Sequence, residues 1–233
     1  MDKNLLLKNN PLLLDISEED LLVLIANSLQ IKAEAGSYLF FQGDPADSLY
    51  FLTEGHVRLI SFTPEGQQVL MHVVTPGNFF AIIALVPGST YPVSAEVTLD
   101  STLLKWNKNS LQKVLKTVPV FALQAMRLMS ERLQEYQQRF KEIATQRVER
   151  RLARMLIRLA SQSGVKSDEG IVINLPLTRQ DLAEMIGTTL YTVSRFLSHW
   201  ENQGIILSRR EKVIIVNSHL LMCIAEDLPY SEA

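Results

Sequence analysis

Met126, Met129, Leu133, Tyr136, Phe140 and Ile143 follow one another at steps of 3, 4, 3, 4 and 3. That is the a/d spacing of a heptad, drawn along a segment whose other positions are polar: Arg127, Glu131, Arg132, Gln134, Glu135, Gln137, Gln138, Arg139 and Lys141. A helix with so narrow an apolar stripe does not bury it alone and must lie against another surface. A second copy of the same helix satisfies a two-per-seven stripe, so the pattern predicts a homodimer, with Ala122 extending the seam one step backwards. Three heptads are the short end of such patterns, and a helix lying along its own domain is the alternative.

What precedes the rod has a different texture. Ser17 followed by EEDLLVLIANSL reads as a helix start, with a hydroxyl cap and acids in the first turn. Short β-branched and aromatic runs come next: SYLFF, LYFLTE, HVRLISF, QVLMHVV, VSAEVTL and STLLKW. Gly36, Gly43, Gly55, Gly66 and Gly77 separate them at intervals of seven to twelve residues, as turn residues do between the strands of a sandwich or barrel. A closed β-roll is expected.

At Thr145 the heptad register breaks, and a new stripe begins at Val148, Leu152, Met155, Leu156 and Leu159. Thr145 is a candidate cap for this second helix, and the junction near 144–147 is a natural hinge. The helix is expected to end near Ala160, before a polar loop SQSGVKSDEG and a short strand IVINLP. Thr178 caps a helix RQDLAEMI with Asp181 at the capping-box position; Gly187 ends it and Thr189 caps another that runs to about Gln203. IILS and KVIIV flank the charged turn SRREK as a β-hairpin.

Two short helices joined by a glycine-containing turn form a helix-turn-helix, and a following hairpin makes it winged. Leu182, Ile186, Val193 and Phe196 are the expected core between the helices, with the small Ala183 allowing close approach. The N-terminal part of the second helix would then face the major groove with Leu190, Tyr191, Ser194, Arg195 and Ser198. Arginine forks onto guanine O6 and N7 or onto phosphate, and serine bonds either base edge or backbone. Thr178, Arg179 and Thr189 at the helix starts, and Arg209 and Arg210 in the wing, complete the candidate DNA contacts. Charge distribution agrees: residues 1–144 hold twelve Lys and Arg against fifteen Asp and Glu, and residues 145–216 hold eleven against seven.

Glycine-spaced roll, long helix and winged helix, in that order over about residues 15–220, resemble the CRP/FNR superfamily of bacterial transcription regulators. FQGDPADSLYFLTEGHVRL, LTRQDLAEMIGTT and TVSRFL carry the resemblance, and the Ser194–Arg195 pair is similar to the FNR branch. It implies an α+β chain: a cyclic-nucleotide-binding-like β-roll over residues 1–117, a dimerisation helix over 118–144 and a winged helix-turn-helix over 145–233. It also implies double-stranded DNA, a second copy and RNA polymerase as partners, and the cytoplasm as location. Two departures qualify the match. Where CRP- and FNR-type members carry a recognition-helix glutamate, this chain has Tyr191, so a different half-site is expected. Where the cyclic-nucleotide version has Gly-Glu and Arg-Ser pairs, this chain has Ala81 and Ile82, then Pro92 or Val93, with only Ser94 kept. Cyclic AMP is therefore not the expected ligand, because a buried phosphate without its arginine is an unpaired charge. The N-terminal cysteines of the iron–sulfur version are absent as well.

An apolar effector pocket is expected from Met71, Val73, Phe79, Phe80, Ile82, Ile83, Leu85 and Tyr91, with His72 and Ser94 beside it and Met126 and Met129 facing it. Haem is one occupant such a lining allows, with His72 or His56 as axial ligand in a carbon monoxide or nitric oxide sensor. A strand histidine is more often simply exposed or hydrogen-bonded. A ligand-binding module acting only through protein partners is the other reading. His199 and His219 read as structural or surface residues, Trp106 and Trp200 as packing residues. Cys223 is the single cysteine, which excludes an intramolecular disulfide and a cysteine-held metal cluster. No phosphate loop, HExxH, GxSxG or nucleophile–base pair marks an enzyme, and no run of eighteen apolar residues marks a membrane span.

Overall fold

A computed structural model describes residues 3–8, 10–13, 15–209 and 212–229. The chain divides into two compact units, residues 1–135 and 136–233.

The first unit opens with α1 (Lys3–Lys8), a 3-10 turn (Pro11–Leu13) and α2 (Glu18–Ala26). Ser17 caps α2 by accepting from the Asp20 amide, and Glu18, Glu19 and Asp20 lie in the first turn, where the helix dipole favours acids. The roll follows: β1 (Leu29–Ala33), β2 (Tyr38–Phe40), β3 (Ser48–Phe62), β4 (Gln68–Val74), β5 (Phe79–Phe80), a 3-10 turn (Ile82–Leu85) and β6 (Ser94–Asn107). The antiparallel order is β1-β6-β3-β4, with β2 added on β6 and β5 on β3.

LYFLTE and HVRLISF, expected as separate strands, are one strand, and so are VSAEVTL and STLLKW. Gly55 does not turn the chain between them. It sits at φ 90° where the β3–β6 register slips, so it bends a long strand instead of ending it. A β-carbon there would meet the Asp100 carbonyl at 2.6 Å, which leaves room only for glycine.

The core of the roll is split by strand alternation. Phe79 packs with Phe51, Trp106 and Phe121 in one cluster, while its neighbour Phe80 joins Phe40, Tyr50, Tyr91 and Val97 in another. Trp106 is fully buried and its indole N–H donates to the Leu24 carbonyl, tying α2 to the roll.

After α3 (Lys108–Thr117) comes α4 (Pro119–Thr145), which opens on proline at its first position and is shared by both units. Phe121 and Ala125 are buried on one face of α4, and Leu123, Met126, Met129 and Leu133 are exposed on another. Ala122 is only half-buried, so Leu123 is the residue that continues the exposed stripe backwards.

The second unit holds α5 (Val148–Ser163), β7 (Gly164–Ser167), β8 (Gly170–Ile173), α6 (Arg179–Ile186), α7 (Leu190–Asn202), β9 (Ile206–Arg209), β10 (Lys212–Ile215) and α8 (Ser218–Glu226). Its sheet runs β7-β8-β10-β9, all antiparallel. Three expectations change. The stretch SQSGVKSDEG is not a loop: α5 reaches Ser163, and VKS pairs with GIVI as a hairpin. Thr145 does not cap α5, because its hydroxyl donates back to the Lys141 carbonyl within α4; Arg147 occupies the cap position without a side-chain bond. Phe196 is half-buried, and it is Leu197 and Trp200 that complete the buried face of α7 with Val193. Trp200 fills that place because it lies seven residues after Val193, on the same helical stripe.

Candidate nucleic-acid interface

The geometry of α6 and α7 follows from their ends. The Thr178 hydroxyl accepts from the Asp181 amide while the Asp181 carboxylate accepts from the Thr178 amide, so a full capping box starts α6. Gly187 closes it in the left-handed region at φ 67°, which a side chain would strain. Thr189 then caps α7 by accepting from the Thr192 amide. Leu182, Ala183, Ile186, Val193, Leu197 and Trp200 are buried, which holds the two helices as a pair.

Arg151, which is not among the expected contact residues, fixes the turn between them. It is 8% exposed, and its guanidinium donates to the carbonyls of Ile186 and Gly187 at the end of α6 and of Gln146 at the α4–α5 junction. A cation at a helix C-terminus is favourable, and the three carbonyls engage each of its three nitrogens. Burial pulls its pKa down from the ordinary arginine value, and the nearby Glu142 charge works the other way. The signal was present in the sequence: Arg151 sits three residues after Val148 and four before Met155, a charge on an otherwise apolar stripe.

A second polar anchor lies at the same junction. Glu142 on α4 is 3% exposed; Arg158 donates to both of its carboxylate oxygens at 2.9 and 3.0 Å, Gln138 adds a bond at 3.2 Å, and Arg154 stands 3.6 Å away. Burial pushes the Glu142 carboxyl up, yet the hydrogen bond and charge of Arg158 outweigh it, and the group is held below the usual carboxylate value. Arg150 and Arg154 each donate to the Ala225 carbonyl at the end of α8, so α5 is the hub of this unit.

The expected contact residues lie as follows. Leu190, Tyr191, Arg195 and Ser198 are exposed along α7, and Ser194 is half-buried beside them. The Arg195 guanidinium rests 5.2 Å from the Phe196 ring centroid. Thr178 and Thr189 are exposed, with their hydroxyls committed as caps. Arg179 is half-buried and donates to the Ser208 hydroxyl, while the Ser208 amide donates to Glu201 on α7, joining the wing to both helices. Arg209 pairs with Glu169 at 2.6 Å. Arg210 lies outside the described residues. Thr178, Arg179, Ser208, Arg209 and Lys212 border an open notch of about 390 Å³ between α6, α7 and the wing.

The expected effector pocket does not come together as one lining. Phe79 and Phe80 point into different clusters because neighbouring strand residues face opposite ways. Tyr91 is a core residue: it stacks on Phe40 at 3.7 Å between ring centroids, and its hydroxyl accepts from the Ser48 amide and donates to the Ser48 carbonyl. Burial pushes its hydroxyl up to about 12. Ser94 is buried with its hydroxyl accepting from the Gln42 amide. Met71, His72 and Ile82 are half-buried, and Ile82 lies in the 3-10 turn after a left-handed Ala81. The apolar residues therefore divide between the two clusters of the roll. Among the described residues, no cluster of three His, Cys, Asp or Glu could hold a metal ion, and no helix is long and apolar enough to cross a membrane.

A strand roll, a long helix with an exposed apolar seam, and a winged helix-turn-helix define the class: a transcription regulator with a helix-turn-helix DNA-binding domain. Comparison with known proteins places it further. The Cyclic nucleotide-binding domain family matches residues 30–118, and the Crp-like helix-turn-helix domain matches residues 150–224. The chain belongs to the CRP/FNR family of transcription regulators. It is 29% identical over 212 residues to the Anaerobic regulatory protein of Bacillus subtilis (strain 168), covering 90% of this chain and 89% of that protein. It is 27% identical to the Global nitrogen regulator of Nostoc sp. over 78% of this chain and 82% of the relative. The structure of FixK2 from Bradyrhizobium japonicum shares the fold with a TM-score of 0.74 at 22% identity, over 88% of this chain and 99% of that one. These domains and relatives are regulators, not enzymes.

Proposed function

We propose that the chain acts as a homodimer that binds a two-fold operator, placing residues 189–203 of each copy in the major groove. The observation that carries this reading is the outward seam of α4, where Met126, Leu133, Phe140 and Ile143 are each more than half exposed. Apolar groups of this size repeated at heptad spacing are stable in water only when covered, and a second α4 matches the spacing. Two-fold pairing of the helices gives two recognition helices and hence half-sites about one helical turn apart.

Residues 1–117 serve as the effector roll, 118–144 as the dimerisation helix and 145–233 as the DNA-binding part. Leu190, Tyr191, Ser194, Arg195 and Ser198 read base edges, and Thr178, Arg179, Thr189, Arg209 and Arg210 meet the phosphates. The roll answers to something other than cyclic AMP: Ser94 is engaged by Gln42, and Pro92 and Val93 offer no cation to a cyclic phosphate. A change in seam packing reaches the reading head through Glu142 and Arg151, and an effector drives it only by binding the two arrangements unequally. The protein works in the cytoplasm, with RNA polymerase as its downstream partner.

The test is a mobility-shift titration of the full chain on duplex selected from a random-sequence library, alongside sedimentation. Arg195→Ala is expected to weaken the selected site by about ten- to a hundred-fold while leaving the dimer intact. Unchanged affinity and specificity in that variant would remove α7 from the role of reader.

A further inference from the structure

We infer that the leading end of α7 reads base pairs through the thymine 5-methyl group, by apolar contact from Leu190 and Tyr191, with hydrogen-bonded readout starting about one turn later, at Ser194 and Arg195. This deepens the DNA-binding reading above and rests on it.

Leu190 and Tyr191 are the first two residues of α7, and they are 47% and 75% exposed. The opening residues of a recognition helix are those that reach base edges. The hydroxyls next to them serve the helix end: the Thr189 hydroxyl accepts from the Thr192 amide and lies 3.0 Å from the Thr192 hydroxyl. The hydroxyls flanking the tip thus bond each other and the helix end. What the tip turns outward is a leucine side chain and a tyrosine ring, with one phenolic hydroxyl at its edge.

The major-groove edges of the four base pairs carry donors, acceptors and one apolar group, the thymine methyl. A leucine and an aromatic ring gain nothing from N7, O6 or the amino groups and would desolvate them without return. Against a methyl, both sides lose apolar surface to water. The chemistry of the tip therefore selects thymine at the positions it covers, and the tyrosine hydroxyl is left to meet water or phosphate. Arg195, one helical turn on, faces the same side with five donors in a fork, which suits guanine. The half-site this face fits has thymine methyls under the tip and guanine under Arg195.

The experiment uses the full-length protein and the duplex it selects from a random-sequence library. Each thymine of the selected half-site is replaced singly by uracil, which removes the methyl and leaves every donor and acceptor in place. The expected result is a loss of about four-fold per methyl at one or two adjacent positions, the worth of one buried methyl-sized group. Leu190→Ser with Tyr191→Ser should abolish that sensitivity, and Tyr191→Phe should keep it. If uracil is neutral everywhere while the protein still selects a defined site and loses it on Arg195→Ala, the methyl inference fails and the DNA-binding reading stands. If no site is selected, both fail. The uracil series needs no protein variant, so a folding defect in the double substitution leaves the test decisive.

Discussion

Replacing Glu142 by glutamine keeps the shape of the side chain and removes its charge from between Arg154 and Arg158. Removing one partner of a buried pair costs roughly 3–5 kcal/mol when the other is left fully buried. Here Arg154 and Arg158 are 19% and 30% exposed, so water recovers part of the loss. The worked expectation is about 2–3 kcal/mol of local stability at the α4–α5 junction. Hydrogen exchange of α5 peptides in the intact protein reads this directly, as a rate increase of roughly 30- to 150-fold in residues that open locally. Arg158→Met in the wild-type and Glu142→Gln backgrounds closes a double-mutant cycle, and a coupling of at least about 1 kcal/mol is expected between them. An exchange increase below about threefold, with no coupling, would show that the ion cluster does not hold the junction.

Four further outcomes follow from the same geometry. Because the folded Glu142 carboxyl lies below its ordinary value, its contribution is complete above the unfolded value and disappears as pH falls through the lowered folded one; acid titration of the melting temperature should show a drop in that window that Glu142→Gln lacks. Phe140→Glu places a charge on the most exposed residue of the seam and should convert dimer to monomer at micromolar concentration in sedimentation, with little change in the far-ultraviolet spectrum. Gly55→Ala meets Ser101 and the Asp100 carbonyl and should destabilise the first unit by more than about 2 kcal/mol, read by denaturant unfolding. Gly187→Ala has open space but a left-handed backbone, so about 1 kcal/mol is expected, with a matching loss in DNA affinity from a displaced α7.

Much of the molecule was legible in its sequence because local rules and tertiary needs coincide there. Thr178 with Asp181, Gly187 and Thr189 announce the ends of α6 and α7, and the structure builds those ends with the bonds the residues can make. The α4 seam was readable because heptad spacing puts its apolar residues on one face, where they stay exposed. Other parts needed information a single segment does not hold. Gly55 looks like its neighbours among the turn glycines, and only the β3–β6 register reveals a bend instead of a turn. VKS has the composition of a loop, and becomes a strand because Gly164–Ser167 finds β8 as a partner. Residue type alone groups the apolar residues of the roll into one pocket, whereas strand alternation sends Phe79 and Phe80 apart. Arg151 and Glu142 went unnoticed because a charged residue on a helix is usually solvated. Their burial depends on carbonyls and cations brought in from other elements.

The most direct test of the account is the stoichiometry and symmetry of the DNA complex. The full-length protein would be incubated with a random-sequence duplex library, the enriched sites sequenced, and the complex on one site weighed by sedimentation. The account predicts an inverted repeat with half-site centres about 10 base pairs apart, and two chains on each duplex. An enriched site without two-fold symmetry, or one chain per duplex at saturation, would contradict the homodimeric reading. No enrichment over the starting library would contradict the DNA-reading role assigned to α7.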